Sequence, residues 1–278
     1  MKIIKFLRPL YWKYPKLRPR LAGLYDILYP SKIQFQGWGL RTFRQVPWND
    51  PYFSKIFNES YNEIYNNFEL EKTTGGLTKD TLITFKWRLW NISFAIKHVI
   101  EFTDNDNFEF VECGVAEGTS TYVSLREISS NEKIKNFKMH LYDAWGAMNN
   151  KKLLQNEVER GKGYSNLDLE RTKKHLKDFT HNTVYHQGHI PNSFHESPES
   201  PKSINYLHID LNSAKYTIDT LEFFYPRIQD RGIILFDDYG DLAFSDTKKA
   251  VDEFFSQKSG VFQKLATGQA IYFVKKKN

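Results

Sequence analysis

The chain has 278 residues, a formal net charge of +6 at pH 7, 40% hydrophobic residues and 26% charged residues. This length accommodates one large α/β domain with an additional segment, and the composition is typical of a soluble globular protein. The single cysteine, Cys113, excludes an intramolecular disulfide framework and a cysteine-based zinc site. Because the apolar runs are too short to span a bilayer and no signal-peptide pattern is present, we expect a cytoplasmic protein.

Residues 1–25 carry much of the basic excess and contain no acidic residue. Apolar and aromatic residues are interleaved with these cations, a pattern that favours peripheral contact with an anionic membrane, here the inner face, or with an acidic partner. The alternative is an arm that packs on the main domain or on a second subunit, as in a homodimer. Since residues 1–80 show no regular alternation of strand and helix, we predict a basic arm and cap there and the main domain over residues 81–278.

The apolar periodicity of the rest of the chain predicts strands and helices in alternation. Helices are predicted over Phe53–Leu70 and from Thr78 to Phe102, before the first strand. The predicted strands occupy residues 108–111, 139–143, 183–188, 204–210 and 232–239, and two final strands occupy residues 262–266 and 270–274. This order predicts an α/β fold, a doubly wound and mostly parallel sheet with an antiparallel edge hairpin and an N-terminal helical cap.

Two segments between these strands are predicted to border a ligand site. Leu167–Phe179 has the pattern of a helix, with Ser165 as its N-cap and Asp168 as an acid in its first turn. Pro191–Ser203 is rich in serine and proline and is predicted to be a loop that is long enough to line a site. In open parallel sheets, ligands bind outside the carboxyl ends of the strands.

A glycine turn follows the first strand, with the pattern E-x-G-x-x-x-G formed by Glu112, Gly114 and Gly118. Backbone N–H groups at such a turn and at the helix that follows face a ligand at close range. A dinucleotide turn would have a third glycine and an acid about 20 residues on, whereas the next strand-end acid, Asp143, comes 29 residues after Gly114. An acid at the entrance of the turn suits a cationic, ribose-bearing ligand, so we interpret it as a site for S-adenosylmethionine (SAM).

These stretches resemble the class I SAM-dependent methyltransferases and, more narrowly, the macrocin and mycinamicin sugar O-methyltransferase family. The resemblance covers roughly residues 80–275 and rests on Val111–Val115, Leu141–Asp143, Leu207–Asp210 and Gly232–Gly240. It implies a Rossmann-like methyltransferase fold with SAM as the methyl donor. It also implies a divalent metal, usually Mg²⁺, held by the acids that end the fourth and fifth strands, namely Asp210, Asp237 and Asp238.

The SAM contacts are assigned residue by residue under this resemblance. Gly114 and Gly118 would let the backbone approach the ligand, and Glu112 would lie near the methionine ammonium group. Asp143 would accept hydrogen bonds from the ribose hydroxyls, and Gln187–Gly188 would lie near the adenine.

The acids of the fourth and fifth strands should converge, because these strands are neighbours in the expected order. Crowded carboxylates repel one another unless a cation or a proton compensates, and oxygen-rich sites suit Mg²⁺. The alternative is that Asp237 or Asp238 caps a turn while Asp210 contacts solvent. Asp210 is also the predicted catalytic base, either directly or through metal-bound water. Asn212 stands where the family often has a further acid, and could offer a carbonyl oxygen to the metal.

The leading hypothesis is a metal-assisted O-methyltransferase that acts on a hydroxyl of a sugar or another small polar molecule. The alternatives are a SAM-binding interaction protein without catalysis and a metal-independent methyltransferase of another substrate class. We expect no nucleic-acid partner, because the segment Asp210–Ser213 lacks the Asn/Asp-Pro-Pro-aromatic motif of amino-methylating DNA enzymes and the basic surplus is small. His208 is expected to be a buried histidine.

Overall fold

The computed structural model describes residues 46–70, 78–103, 107–149, 153–155, 157–158, 164–196, 199–240 and 244–276. The chain forms two compact units, Met1–Asn49 and Asp50–Asn278. The described part of the first unit includes a 3₁₀ turn at Pro47–Asn49. The basic segment 1–25 lies outside the described residues, so its contacts with a membrane or a second subunit stay predictions, as does the functional boundary near residue 80.

Helices and strands alternate through the described part of the second unit. Its strands are β1 (Asn107–Cys113), β2 (Asn136–Asp143), β3 (Thr183–Gln187), β4 (Ile204–Ile209), β5 (Ile228–Phe236), β6 (Gly260–Lys264) and β7 (Ala270–Val274). Its helices are α1 (Lys55–Asn67), α2 (Lys79–Phe102), α3 (Thr119–Ser129), α4 (Leu169–His175), α5 (Ser193–Glu196), α6 (Ala214–Phe224) and α7 (Ser245–Phe255). None of the described helices is both long and apolar enough to cross a membrane.

The strands form one sheet in the order β3-β2-β1-β4-β5-β7-β6. Strands β1 to β5 pair in parallel, while β7 runs antiparallel to both β5 and β6. The predicted doubly wound sheet and its antiparallel edge hairpin are therefore confirmed. The chain order reverses between β1 and β4, and the carboxyl ends of the parallel strands meet at one edge, where sheets of this kind bind ligands.

Helices cover both faces of the sheet, because the central strands are apolar on both sides. Helices α1, α2 and α3 pack on one another, and α2 also contacts β5. Helix α6 packs against β4 and α7. The core residues of α2 include Leu89, Ile92 and Ile96, and burial of each such side chain stabilises the fold by about 1.5–3 kcal/mol relative to exposure.

The start of α2 agrees with the sequence prediction. The Thr78 hydroxyl accepts a hydrogen bond from the Thr81 backbone N–H at 3.2 Å. The Thr81 hydroxyl in turn accepts one from the Thr78 N–H at 2.8 Å, which completes a capping box. These two bonds satisfy backbone donors that the first turn of a helix would otherwise leave unpaired.

The predicted helix over Leu167–Phe179 is wrong in its length and in its cap. Helix α4 covers only Leu169–His175, and a separate 3₁₀ turn covers Lys177–Phe179. Asp168, rather than Ser165, is the N-cap, because its side chain accepts a hydrogen bond from the Glu170 N–H at 2.9 Å. An acidic cap directly before a helix stabilises the helix, because the N-terminal end of a helix carries a partial positive charge.

Two other boundaries differ from prediction for local reasons. Strand β5 starts at Ile228, four residues before the predicted residue 232, and its pairing with β4 shifts in register between Ile204 and Tyr206. The polar residues in this irregularity hid the apolar pattern of the strand. The predicted loop over residues 191–203 contains the single-turn helix α5.

A partly buried chain of polar side chains crosses β1, β2 and β3. Glu109 Oε2 lies 2.7 Å from His140 Nε2, and His140 Nδ1 lies 2.9 Å from His186 Nε2. The ring of Tyr142 stacks on His186, with ring centroids 4.1 Å apart. Burial lowers the pKa of His186 to about 4, and the neighbouring His140 contributes to this shift. The native protein therefore holds His186 neutral at pH values where an exposed histidine is protonated.

We expect the free energy of unfolding to fall as the pH decreases from about 6.5 towards 4. The unfolded chain takes up a proton on His186 in this range and the native protein does not, so protonation favours unfolding. After allowance for partial solvent screening, the contribution between pH 7 and pH 5 is about 1 kcal/mol. Urea denaturation at both pH values measures it.

The His186→Phe variant should show a smaller difference in unfolding free energy between pH 7 and pH 5 than the wild type. His181→Phe, at an exposed position before β3, is the matched control and should keep the wild-type difference. An unchanged difference in His186→Phe would contradict the assignment.

Candidate active site

A cavity of about 700 Å³ opens at the carboxyl ends of the parallel strands. This volume includes the open mouth of the cavity. Its wall combines residues that follow β1, β2, β3 and β4, and it includes Gly114, Ala116, Asp143, Tyr164, Gly188 and Asp210. Four predicted site residues, Gly114, Asp143, Gly188 and Asp210, are thus brought together around one space.

Gly114 brings the ends of β1 and β4 into backbone contact. Its φ is +88°, and a Cβ atom at this position would lie 1.8 Å from the backbone oxygen of Asp210. The Gly114 N–H donates to the Tyr142 carbonyl and the Asp210 N–H donates to the Cys113 carbonyl, both at 2.9 Å. Only glycine fits here, because any side chain would force β4 away from the turn.

The Asp143 carboxylate holds the glycine turn in place. Its Oδ2 accepts hydrogen bonds from the backbone N–H groups of Val115 at 2.7 Å and Ala116 at 2.9 Å. Its Oδ1 accepts one from the Trp145 N–H at 2.7 Å. Burial raises the pKa of Asp143, and the three backbone donors oppose that rise. Since a carboxylate oxygen can accept two hydrogen bonds, Oδ1 retains capacity for a ligand hydroxyl.

Two of the residues bound by Asp143 have an unusual backbone conformation. Ala116 has a φ of 48° and Trp145 a φ of 44°, in the left-handed region. This conformation costs a residue with a side chain about 1–2 kcal/mol, so hydrogen bonds from its N–H groups are needed to maintain it. The Trp145 indole N–H also donates to the Ala116 carbonyl at 3.2 Å. The turn is thus fixed before any ligand binds.

Glu112 and Gly118 lie outside the described wall of the cavity. Glu112 is fully buried, and its carboxylate accepts hydrogen bonds from the Ser120 and Thr121 hydroxyls. It also contacts Nδ1 of His208 at 3.0 Å, which confirms that His208 is a buried histidine. Gly118 is the N-cap of α3, with a φ of 78°, and faces α4. In the structure both residues support the turn from beneath, and their contacts with SAM stay predictions.

Of the two residues predicted to lie near the adenine, Gln187 and Gly188, only one lines the cavity. Gln187 ends β3 with an exposed side chain, whereas Gly188 lines the cavity. The Gly188 N–H donates to the Asp143 carbonyl at 2.9 Å, so the end of β3 is joined to that of β2. Adenine contacts of these residues stay predictions.

Asp210, Asp237 and Asp238 form a cluster in which one oxygen of each carboxylate lies within 4.8 Å of the others. Burial raises the pKa of Asp210 well above its ordinary value, and the charges of Asp237 and Asp238 add to the rise. Asp238 Oδ2 accepts a hydrogen bond from the Asn212 N–H at 2.7 Å. The predicted convergence of the acids is therefore present. Three close carboxylate oxygen ligands fit a hard divalent cation.

The sequence analysis missed two residues of this region, Arg88 and Tyr164. Arg88 lies on α2 and forms an ion pair with Asp237. Its only sequence signal is a cation between apolar residues of a helix. Tyr164 lines the cavity, and burial raises the pKa of its hydroxyl, with Asp210 and Asp238 adding to the rise. No spacing rule connects Tyr164 with the acids, because it belongs to a connection between elements.

Residues 111–239 match the model of a family described as a methyltransferase domain. The matched range starts within β1 and ends just after β5, so it contains the glycine turn and all three acids. The chain carries a SAM-dependent methyltransferase domain. The predicted resemblance to class I methyltransferases is confirmed by this match and by the strand order.

Solved structures share the fold of this methyltransferase. The O-methyltransferase NovP superposes with a TM-score of 0.60 at 17% identity, over 81% of this chain and 98% of NovP. CalS11, a calicheamicin methyltransferase, superposes with a TM-score of 0.51 at 14% identity, over 87% of this chain and 98% of CalS11. At these identities the likeness shows the fold. A comparison with curated protein sequences finds no match.

We expect the Gly114→Ala substitution to destabilise the methyltransferase by at least about 2 kcal/mol, because it combines a left-handed φ with a backbone clash. It should also abolish SAM binding, since the turn cannot form beside Asp210. Gly146→Ala is the matched control for stability only, because its Cβ would meet no atom closer than 3.8 Å but Gly146 lines the cavity. Thermal unfolding and calorimetric titration with SAM measure both effects. Wild-type stability and SAM affinity in Gly114→Ala would contradict the assignment.

Proposed function

We propose that this protein is a divalent-metal-assisted O-methyltransferase that acts on a hydroxyl of a sugar or another small polar molecule. One observation supports the proposal above others. A single cavity is lined by the glycine turn, Asp143 and Asp210, and Asp210 adjoins two more carboxylates. A methyl donor and an acceptor hydroxyl can therefore occupy adjoining parts of one space.

The donor side of the cavity suits SAM in shape and in charge. Backbone atoms of Gly114 and Ala116 form part of the wall, so the methionine portion can approach without a side chain between. Asp143 Oδ1 can accept a hydrogen bond from a ribose hydroxyl while Oδ2 holds the turn. The negative charge of Asp143 in the wall favours a ligand with a sulfonium and an ammonium group.

Methyl transfer from a sulfonium is an in-line displacement. The acceptor oxygen forms a bond to the methyl carbon as the carbon–sulfur bond breaks, and the sulfur keeps that electron pair. The hydroxyl proton must leave, so the protein has to orient the alcohol and accept its proton. We assign this role to Asp210, because it lines the cavity and its raised pKa increases the proton affinity of its carboxylate.

A divalent metal, when bound, would polarise the acceptor hydroxyl and lower its pKa. Asp210, Asp237 and Asp238 would hold the ion, and Asn212 could add a carbonyl oxygen. Asn212 has a φ of 53° and also lines the cavity, so it lies at the junction of the acids and the acceptor space. Mg²⁺ suits such an oxygen-rich set of ligands.

A sugar or other polyol fits the polar part of the wall. Asn212 and the buried Tyr164 hydroxyl offer hydrogen-bond donors and acceptors beside Asp210. The fold likeness to the O-methyltransferase NovP and to CalS11, a calicheamicin methyltransferase, supports a small-molecule acceptor. We include in the proposal a cytoplasmic location, the absence of a nucleic-acid partner, and either homodimer or peripheral membrane contact through residues 1–25.

A metal-independent methyltransferase is the second candidate, and the ion pair of Arg88 with Asp237 favours it. A guanidinium already compensates part of the charge of the acids. In that case Asp210 would accept the proton without a metal, and removal of divalent ions with a chelator would leave turnover unchanged.

We expect Asp210→Asn to lower turnover by roughly 10²–10⁴-fold and to leave SAM affinity unchanged, because Asn cannot accept the proton. The assay is mass spectrometry of a panel of sugars and polar metabolites incubated with SAM, read as a mass gain of one methylene group. Asp246→Asn, at an exposed position in α7, is the matched control and should keep full turnover. Wild-type turnover in Asp210→Asn would remove the base assignment, and an unmodified panel with bound SAM would favour a non-catalytic binding protein.

A further inference from the structure

Arg88 extends from α2 to the acid cluster, where its guanidinium binds two oxygen atoms of Asp237. Its Nη2 donates to the Asp237 backbone carbonyl at 2.7 Å and forms an ion pair with the Asp237 carboxylate. Its Nη1 donates to the Thr267 carbonyl at 3.1 Å. The Arg88 side chain is 20% exposed, so this cation lies mostly out of solvent and interacts strongly with nearby charges.

The second carboxylate oxygen of Asp237 is also bound by the protein. Oδ1 accepts a hydrogen bond from Gln269 Nε2 at 2.6 Å. Gln269 is fully buried, and its Oε1 accepts one from Asn91 Nδ2 of α2 at 2.7 Å. A metal that bound Asp237 directly would have to displace or share these donors.

Asp210 is in a different position from Asp237. Among the described residues no side chain or backbone group donates a hydrogen bond to the Asp210 carboxylate, which lines the cavity. Burial and the charges of Asp237 and Asp238 raise the pKa of Asp210, and Arg88 opposes this rise through its charge alone, without a hydrogen bond. With Arg88 ionised, the cluster of three carboxylates and one guanidinium carries two negative charges, which one divalent cation neutralises.

We propose that Arg88 is a positioning residue that competes with the divalent cation for Asp237. It thereby weakens metal binding at the cluster and assigns the ion chiefly to Asp210 and Asp238. This inference rests on the proposed metal site. Because the guanidinium repels the cation and both carboxylate oxygens of Asp237 are already bound, we expect the metal to bind loosely and to exchange.

The test is Mn²⁺ binding to the full chain, measured by electron paramagnetic resonance of the unbound ion. Arg88→Gln should bind Mn²⁺ at least roughly tenfold more tightly than the wild type, because it removes the repulsion and releases Asp237. Arg126→Gln, whose arginine pairs with Glu59 at 3.2 Å, is the matched control and should keep the wild-type affinity. Calorimetric titration with SAM on every variant verifies that the cavity is intact.

Arg88→Gln leaves the charge of Asp237 without its partner and can impair folding, so a second variant removes both members of the pair. Arg88→Gln/Asp237→Asn keeps the net charge of the cluster and should bind Mn²⁺ within roughly threefold of the wild type. Should Asp237 be a principal ligand instead, the double variant would lose most of its Mn²⁺ affinity. That result, or unchanged Mn²⁺ affinity in Arg88→Gln, would overturn the inference.

The Asp210→Asn variant distinguishes a failure of the proposed role of Arg88 from a failure of the metal site itself. Loss of Mn²⁺ binding in Asp210→Asn, with equal affinity in the wild type and Arg88→Gln, would leave the site standing and overturn only the role of Arg88. Absence of Mn²⁺ binding in both the wild type and Arg88→Gln would overturn the metal site and the inference together. Tighter binding in Arg88→Gln that Asp210→Asn abolishes would support both.

Discussion

The backbone contact between Gly114 and Asp210 is the constraint on which the arrangement of the site depends. Because residue 114 has no side chain, the ends of β1 and β4 approach until the carbonyl oxygen of Asp210 occupies the space of a Cβ. The donor turn directly follows β1 and the predicted base directly follows β4, and these two strand ends are adjacent. Asp143 adds the third strand, since its carboxylate fixes the turn that Gly114 begins. A rigid sheet, rather than mobile loops, sets the distance between the donor site and the base.

Charge compensation is the second requirement of the site. Three carboxylates at the ends of β4 and β5 cannot all remain ionised in a buried setting unless positive charge is near. Arg88 pairs with Asp237, so one guanidinium faces three carboxylates and the protein leaves part of their negative charge unbalanced. A proton or a divalent cation must supply the rest. The same imbalance favours either a metal or a proton at Asp210, and the two compete, because a bound cation would lower the pKa of this carboxyl group.

Strand ends were the part of the site that could be predicted from the sequence. Apolar runs define parallel strands, and an acid or glycine directly after such a run must lie at the ligand-binding edge, which places Asp143 and Asp210 correctly. Arg88 could not be found in this way, because 149 residues separate it from Asp237 and only the packing of α2 brings them together. The neighbours of Glu112 could not be predicted from the sequence either, since they come from α3 and β4. Long-range packing carries no local periodic signal.

The central claim is that one cavity holds the methyl donor beside a cation at the acids. A crystal structure of the protein with S-adenosylhomocysteine and Mn²⁺, with the metal located by anomalous scattering, tests it most directly. The account predicts the ribose against Asp143, the Mn²⁺ ion in contact with Asp210 and Asp238, and open space for an acceptor between them. A donor product bound away from the Gly114 turn, or a metal found far from Asp210, would contradict it.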